Sequence, residues 1–283
     1  MKPTPLQIVL LTTLAMIAFA SNSLLNRLAL GQGTIDAISY TAIRLTSGAV
    51  MLFVIAYLQR KNEQAILRGS RVSAALLFLY AITFSFAYLR LGAGTGALIL
   101  FGSVQVTMIT VALRRGERPQ IMEWIGLFLA LGGLVYLVFP GVTAPSLIGS
   151  LLMVVAGIAW GFYSIRGRGS ENPLADTAGN FAYSVPMVLL VVLVSISNAH
   201  VSESGILYAS LSGALASGVG YVIWYAALRG LTTTRAATVQ LSVPVIAAWG
   251  GVVLLSEKVT IRLFVAGVMI LGGIALAVTG RSK

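Results

Sequence analysis

The stretch 231–280 reads LTTTRAATVQLSVPVIAAWGGVVLLSEKVTIRLFVAGVMILGGIALAVTG. Residues 91–140, which lie 140 positions earlier, read LGAGTGALILFGSVQVTMITVALRRGERPQIMEWIGLFLALGGLVYLVFP and match it without a gap. In both copies a long apolar run meets a glutamate, Glu117 or Glu257, and a second apolar run follows. Each second run carries a glycine pair near its middle: Gly132-Gly133 in one copy and Gly272-Gly273 in the other. This match indicates that the chain contains two copies of one unit.

The composition indicates a membrane protein. Hydrophobic residues make up 58% of the 283 residues and charged residues only 10%, with a mean hydropathy of +0.93. A soluble domain cannot bury that much apolar surface. A hydrocarbon layer about 30 Å thick needs roughly 20 apolar residues per helix. We therefore predict an all-α polytopic membrane protein with ten transmembrane helices, at about residues 6–26, 36–58, 72–90, 93–113, 121–139, 147–166, 177–197, 205–229, 235–255 and 261–279.

The number of helices in each copy predicts how the copies are related. Residues 1–140 and 141–283 each hold five predicted helices, so the second copy must enter the membrane in the opposite orientation to the first. Inverted repeats are a recurrent construction of secondary transporters. An exchange of conformation between two such halves turns an outward-open cavity into an inward-open one. The repeat therefore makes transport the leading hypothesis.

The net charge of +11 has a topological explanation. Fourteen of the nineteen basic residues fall at the termini and in the even-numbered loops, which share one face: Lys2, Arg60, Lys61, Arg68, Arg71, Arg114, Arg115, Arg118, Arg166, Arg168, Arg229, Arg235, Arg281 and Lys283. The positive-inside rule predicts that this face is cytoplasmic, with both termini inside. The basic residues thus orient the protein and contact lipid headgroups, and we expect no nucleic-acid partner.

Polar and aromatic side chains within the predicted spans are the candidates for lining a substrate cavity. Helix 3 carries Tyr80 and Phe84 on one face, and Tyr221 lies in an equivalent stripe on helix 8. In lipid, a tyrosine stripe in the middle of a span more often faces protein or a pathway than hydrocarbon. The other candidates, in helices 1, 6 and 9, are Asn22, Trp160, Tyr163 and Gln240. A hydrogen bond between helices is the alternative for Asn22, and placement at the membrane interface is the alternative for Trp160 and Tyr163.

Arg44 is the only charged residue deep within a predicted span, roughly 12 Å from the outer end of helix 2. Burying such a charge costs several kcal/mol unless it is paired or hydrated. One interpretation is a site for the carboxylate of a substrate. The other, which we favour slightly on the sequence, is structural: capping of backbone carbonyls, or pairing with Asp36 two turns away.

Prolines and glycines predict how the helices bend and pack. Pro244 should kink helix 9, and Pro186 should kink helix 7, because proline removes a backbone donor. The glycine pairs allow close approach of backbones, so we expect helices 5 and 10 to pack the two halves together.

Over essentially its whole length the chain resembles the drug/metabolite transporter superfamily, in particular its ten-helix EamA-type members. The residues that carry the resemblance are Phe19-Ala20-Ser21-Asn22, Arg44, Trp160-Gly161, Tyr225-Ala226-Ala227-Leu228, Pro244, Gly250 and Glu257. The resemblance implies a basket-shaped bundle with a central cavity walled by helices 1, 3, 4, 6, 8 and 9. It also implies that helices 5 and 10 lie outside the cavity and that the protein is in the bacterial inner membrane. Within the superfamily the chain looks most like the YddG-type exporters of aromatic and other neutral amino acids.

The chemistry that the sequence lacks narrows the function. All eight carboxylates fall at span ends or in loops, and the single histidine, His200, lies in a predicted external loop. Proton-coupled pumps and exporters of cationic drugs usually carry an ionisable group at membrane depth. We therefore expect gradient-driven export of amino acids or similar neutral or zwitterionic metabolites, by a monomer.

Other functions fit the sequence less well. The sequence has no evident metal constellation, nucleotide-binding glycine loop or nucleophile–base pair, so we expect no cofactor and no enzymatic activity. Within transport, the alternatives are a multidrug exporter and a sugar- or nucleotide-type carrier. Outside transport, the alternative is a membrane-embedded lipid-modifying enzyme, which would need clustered histidines or carboxylates near an interface.

Overall fold

The structure is a computed structural model, and it describes residues 4–59, 68–91, 93–138, 146–255 and 261–279. Within these ranges the protein is all-helical, and the only β-type pairing is an isolated bridge between Ile35 and Val201. Ten helical spans follow one another, which confirms the predicted all-helical class and the predicted number of helices. Six of them are long and apolar enough to cross a membrane: the first three and the sixth, seventh and eighth.

The observed helices agree with the predicted runs to within a few residues. They are α1 (Pro5–Leu30), α2 (Ala37–Leu58), α3 (Arg71–Tyr88), α4 (Ala93–Arg114), α5 (Ile121–Val138), α6 (Leu147–Gly167), α7 (Pro173–Ser195), α8 (Glu203–Leu228), α9a (Thr233–Gln240), α9b (Ser242–Leu255) and α10 (Ile261–Thr279). Pro244 accounts for the division of the ninth span into α9a and α9b, as described next.

The α-helical pattern is interrupted in the ninth span and in α8, but it continues through the predicted kink site in α7. The ninth span breaks at Leu241, whose N–H bonds the Thr238 carbonyl at 3.1 Å instead of continuing the α-helical pattern. The cause is Pro244, which has no N–H for the Gln240 carbonyl and whose ring crowds it. In α8 a π-helical segment covers Ser212–Val219. By contrast, α7 continues through Pro186 as one helix.

Helices α5 and α10 pack closely through small residues. A Cβ atom added at Gly126 would clash with the Gly273 carbonyl, and one added at Gly133 would lie 3.2 Å from the Ala266 carbonyl oxygen. The second glycine of each predicted pair makes the close approach, because a Cβ at Gly272 would meet no atom within 4 Å and one at Gly132 would meet only Met269 Cε at 3.8 Å. The two helices therefore cross at backbone distance, as close-packed membrane helices do through glycine.

Different loop contacts occur at the two ends of the bundle. At one end the loop before α2 pairs with the loop before α8, where Asp36 and His200 exchange two hydrogen bonds of 2.9 and 3.0 Å. At the other end the segment before α3 contacts α7, where the Ser70 N–H bonds Asn180 Oδ1 at 2.8 Å. We call this second end, which carries the loops after α2, α4, α6 and α8, the basic end.

Candidate functional site

Side chains from six spans enclose a cavity in the centre of the bundle. Its lining residues are Phe19, Asn22, Ser23, Tyr80, Phe84, Leu100, Phe101, Trp160, Tyr221 and Val243. They belong to α1, α3, α4, α6, α8 and α9b. The volume of the cavity that the centre of a water molecule can reach is about 30 Å³. That is room for about two waters, so this conformation is contracted around the site.

Trp160 of α6 lies at the centre of the aromatic wall. Its ring centroid is 4.7 Å from that of Tyr221, 5.2 Å from that of Tyr80 and 5.3 Å from that of Phe19. The indole Nε1 donates a 2.8 Å hydrogen bond to Gln240 Oε1. A buried indole N–H needs such an acceptor, and the amide of Gln240 supplies it from the last turn of α9a. Trp160 thereby connects α6 to α9a, the first part of the broken ninth span, behind the cavity wall.

Arg44 lies one layer behind the cavity wall and is 1% exposed. Its Nε donates to Ser217 Oγ at 3.0 Å, and its Nη2 donates to the hydroxyls of Tyr221 at 3.1 Å and Tyr80 at 3.4 Å. Its Cζ also lies 5.3 Å from the centroid of the Tyr80 ring, which is a cation–π contact. The arginine thus supports the two tyrosines whose rings form the wall.

These contacts determine whether the two tyrosine hydroxyls can donate or accept a further hydrogen bond. A guanidinium can only donate, so the oxygens of Tyr80 and Tyr221 act as acceptors toward Arg44. Each hydroxyl proton is then free to be donated to another acceptor. In a site with low dielectric constant, a nearby positive charge also strengthens such donation to an anionic group.

The predicted pairing of Arg44 with Asp36 is wrong. The Asp36 carboxylate instead caps α2, accepting from the N–H groups of Ile38 at 3.0 Å and Ser39 at 2.9 Å, and it also binds the His200 N–H. Partial burial raises the pKa of Asp36, but these hydrogen bonds outweigh burial and lower it overall. The carboxylate is held by the first turn of its own helix, which is a closer partner than a side chain two turns away.

The carboxylates that the structure describes lie away from the cavity. Glu123 is 2% exposed, but it is in the first turn of α5 and forms an ion pair with Arg235 at 3.4 Å. Glu117, at the basic end, accepts from Arg168 at 3.1 Å and from the Thr233 hydroxyl at 2.6 Å. Burial raises the pKa of Glu117, while hydrogen bonds from Thr233 and Arg168 lower it further than burial raises it. Glu257, the predicted counterpart of Glu117, lies outside the described residues.

Most of the predicted site residues come together at the cavity. Asn22, Tyr80, Phe84, Trp160 and Tyr221 line it. Tyr163 lies beside the cavity wall, with its ring centroid 5.7 Å from that of Trp160. Gln240 and Arg44 are behind the wall and act on it through Trp160 and the two tyrosines.

Five lining residues were not among the sequence predictions: Phe19, Ser23, Leu100, Phe101 and Val243. In a chain that is 58% hydrophobic, an apolar residue facing a cavity has the same sequence pattern as one facing lipid. The sequence contained one indication that Phe19 faces the cavity. It precedes Asn22 by about one helical turn and so shares its face of the helix. No cluster of three or more metal-ligating side chains occurs in the described ranges.

A family model describing EamA-like transporters matches the chain twice, over residues 6–139 and 147–279. The chain belongs to the EamA-like transporter family. It is therefore a multi-pass membrane protein of a family of transporters.

Individual relatives agree with the family assignment. An uncharacterized protein of Pseudomonas aeruginosa is 52% identical over 96% of this EamA chain and 94% of its own length. A probable amino-acid metabolite efflux pump of Escherichia coli is 25% identical over 74% of this chain and 78% of its own. A solved crystal structure shares the fold, with a TM-score of 0.81 at 19% identity, covering 99% of this chain and 100% of that one.

Proposed function

We propose that this EamA-family protein is a secondary transporter that exports amino acids or similar neutral or zwitterionic metabolites. The observation that carries the proposal is the character of the cavity wall. Aromatic rings from α1, α3, α6 and α8 form it, and two tyrosine hydroxyls on Arg44 supply donors. Such a wall suits a solute with an apolar side chain, a carboxylate that accepts from the tyrosines, and an ammonium that packs on a ring face.

Transport without a carboxylate proton carrier fits the distribution of acidic groups. Two of the described acidic residues, Glu117 and Glu123, are engaged with arginines at the basic end. A titrating group that coupled proton flow to the solute would be expected beside the cavity. The driving force in this proposal is therefore the gradient of the solute itself.

Alternating access by two inverted halves, residues 1–140 and 141–283, is the proposed mechanism. One support is the double match of the family model, which covers each half separately. A second is the contact between α5 and α10, where Gly126 meets Gly273 and Gly133 meets Ala266. A shift of 140 positions converts one of these contacts into the other, as a two-fold axis between the halves requires. The halves would form a basket, with the basic end and both termini in the cytoplasm.

Among exporters, the proposal favours amino acids over drugs. The printed name of the Escherichia coli relative is one support for this choice. The absence of a carboxylate in the described cavity wall is another, because a hydrophobic cationic drug would leave its charge unpaired there. Aromatic amino acids, as in YddG-type exporters, suit the ring-lined cavity best. A monomer in the bacterial inner membrane is the proposed form of the protein, since the two halves already complete the cavity.

Reconstituted liposomes test the proposal directly. A panel of radiolabelled neutral amino acids and their amides, which lack the carboxylate, would be measured with and without an imposed pH gradient, alongside liposomes without protein. We expect uptake of at least one neutral amino acid, poorer uptake of its amide, and no dependence on the pH gradient. A requirement for the pH gradient would contradict the uncoupled mechanism, and uptake of hydrophobic cations without any amino acid would favour the multidrug alternative.

A further inference from the structure

Next to the cavity, a group of fully buried polar atoms has no hydrogen-bond partner. They are the two amide atoms of Asn26, the Tyr40 hydroxyl and Nη1 of Arg44. The three side chains are at most 1% exposed. Buried polar atoms are almost always bonded, and each exception needs a physical explanation. Four such atoms on three neighbouring side chains are a stronger signal than any one alone.

These side chains meet between α1, α2 and the π-helical segment of α8. Tyr40 and Arg44 are one helical turn apart on α2, as are Asn22 and Asn26 on α1. The π segment contributes Ser212, which donates to Asn22 Oδ1. The Tyr40 hydroxyl lies at long hydrogen-bonding range from Ser212 and Asn26, outside the geometry of a formed bond, and interacts electrostatically with Arg44. π-helical turns are rare and occur frequently at functional sites.

The chemistry of the unpartnered atoms is that of an anion site. Nη1 of Arg44 carries two N–H donors, the Tyr40 hydroxyl adds a third, and the Asn26 amide nitrogen adds two more. The opposite edge of the guanidinium, Nε and Nη2, is already used by Ser217, Tyr80 and Tyr221. No ion pair to Arg44 occurs among the described carboxylates. A buried charge is costly without a counter-charge. The Arg44 guanidinium has no counter-charge among the described residues, and the Tyr40 and Asn26 donors lie near it.

We propose that Asn26, Tyr40 and Arg44 form a binding site for a small monovalent anion. The anion would bridge the free end of the guanidinium, the phenol and the amide, satisfying donors that the protein leaves open. Two sources share this chemistry: an inorganic halide from the medium, or the carboxylate of a solute that has moved past Tyr80 and Tyr221. The existence of the site does not depend on which solute is transported.

Thermal unfolding of the purified protein in detergent tests the site. The protein would be prepared with a bulky organic sulfonate as its only anion and then titrated with chloride, with a neutral amino acid, or with the amide of that amino acid. A ligand that binds only the folded state raises the unfolding midpoint as its concentration rises. We expect the wild type to gain several degrees with chloride or with the amino acid, and nothing with the amide.

Tyr40→Phe is the discriminating variant, because it keeps the ring and removes a hydroxyl that makes no well-formed hydrogen bond, only long contacts with Ser212 and Asn26. Without anion, its midpoint should stay close to that of the wild type, since only these long contacts are lost. Its apparent affinity for the anion should fall by about tenfold, as expected for the loss of one charged hydrogen bond. Tyr225→Phe is the matched control, because the Tyr225 hydroxyl already bonds the Tyr163 carbonyl at 3.2 Å. That variant should be less stable in every buffer, with the anion dependence of the wild type.

The titrations distinguish three cases: a halide site, a site for the carboxylate of a solute, and no anion site. A shift with chloride supports a halide site, and a shift with the amino acid but with neither chloride nor the amide supports a solute carboxylate. No anion-dependent shift in the wild type would overturn the proposal, as would a shift that Tyr40→Phe leaves unchanged. If Tyr40→Phe cannot be purified, Asn26→Leu serves the same comparison, because it also removes only unpartnered atoms.

Discussion

At the scale of single residues, the site depends on side chains that each connect two layers. Trp160 contacts the cavity with its ring and the broken ninth span with its N–H. Arg44 does not line the cavity itself, but it bonds the hydroxyls of two residues that do. In both cases a polar group behind the wall fixes the orientation of an aromatic ring in it. Substitutions in the second layer should therefore alter transport through the rings that they hold.

Trp160→Ala should lower transport by about tenfold while leaving folded yield near that of the wild type. The variant removes ring contacts and one hydrogen bond, each worth about 1 kcal/mol, from a wall that contacts the solute. Liposome uptake and size-exclusion yield measure the two effects separately. Trp249→Ala is the control, because Trp249 is 39% exposed on α9b and should leave uptake unchanged. Normal transport by Trp160→Ala would refute the role of Trp160 in the cavity.

At the scale of helices and loops, charged residues join three elements at the basic end. Arg168, which follows α6, binds Glu117 in the loop before α5, the Leu231 carbonyl at 2.7 Å, and the hydroxyl of Thr233 in the first turn of α9a. Thr233 in turn donates to the same carboxylate from its N–H, at 3.3 Å. We call these three residues the Glu117 cluster. They connect the two halves at the end of the bundle that we propose to be cytoplasmic.

The Glu117 cluster should make stability depend on pH in a defined direction. Its hydrogen bonds place the pKa of Glu117 below the ordinary value of 4.5, so the cluster stabilises the fold fully above about pH 4.5. That contribution is lost as the pH falls through the lower pKa of the folded state. The difference in unfolding midpoint between wild type and Glu117→Gln should therefore be largest near pH 7 and shrink below pH 4.5. An equal difference at all pH values would contradict this assignment.

The glycines of the α10 contact provide a second prediction at this scale. Gly273→Ala should destabilise the protein by roughly 1–3 kcal/mol, because its Cβ would meet the Gly126 carbonyl and the Ala130 backbone. Gly272→Ala is the matched control on the neighbouring residue, where the added methyl meets no atom within 4 Å. It should be neutral or stabilising by up to about 1 kcal/mol, because alanine favours the helix. Unfolding in a denaturing detergent gives both values, and equal effects would show that the contact is not close.

Periodicity and hydropathy were sufficient to predict the helices but not their irregularities. The break in the ninth span was foreseeable from Pro244, but its position at Leu241 depends on which carbonyl the proline ring crowds. The π segment of α8 had no signal, because it arises where Gly213 packs against the backbone of α2 at Arg44. Asp36 was assigned the wrong partner because sequence distance cannot rank a helix cap against a buried arginine. The first and third features are decided within one helix, and only the second depends on a contact between helices.

At the scale of the whole molecule, the duplicated sequence has a counterpart in the packing. The Gly126–Gly273 contact of α5 and α10 has its equivalent in the contact of Gly133 with Ala266. Long-range sequence similarity made the two halves predictable, whereas the contracted shape of the cavity depends on side-chain packing. The orientation of the bundle stays a prediction that rests on the distribution of basic residues.

Single-cysteine labelling measures that orientation, since the natural chain contains no cysteine. Ser170→Cys lies after α6 at the basic end, and Ser204→Cys lies in the first turn of α8 at the opposite end. In intact cells a membrane-impermeant maleimide should label Ser204→Cys only, and it should reach Ser170→Cys after the membrane is broken. The reverse pattern would place both termini outside.

The crossing of α5 and α10 has a consequence for the transport cycle. If the two halves exchange conformations as proposed, every part of the bundle changes environment except what lies on the axis that relates them. The crossing point of α5 and α10 is such a place, since each helix is the equivalent of the other. It would be the pivot of the exchange, whichever way the cavity opens. Because the Gly126–Gly273 contact lies beside this pivot, Gly273→Ala should reduce the amount of folded transporter in both the inward-open and the outward-open form.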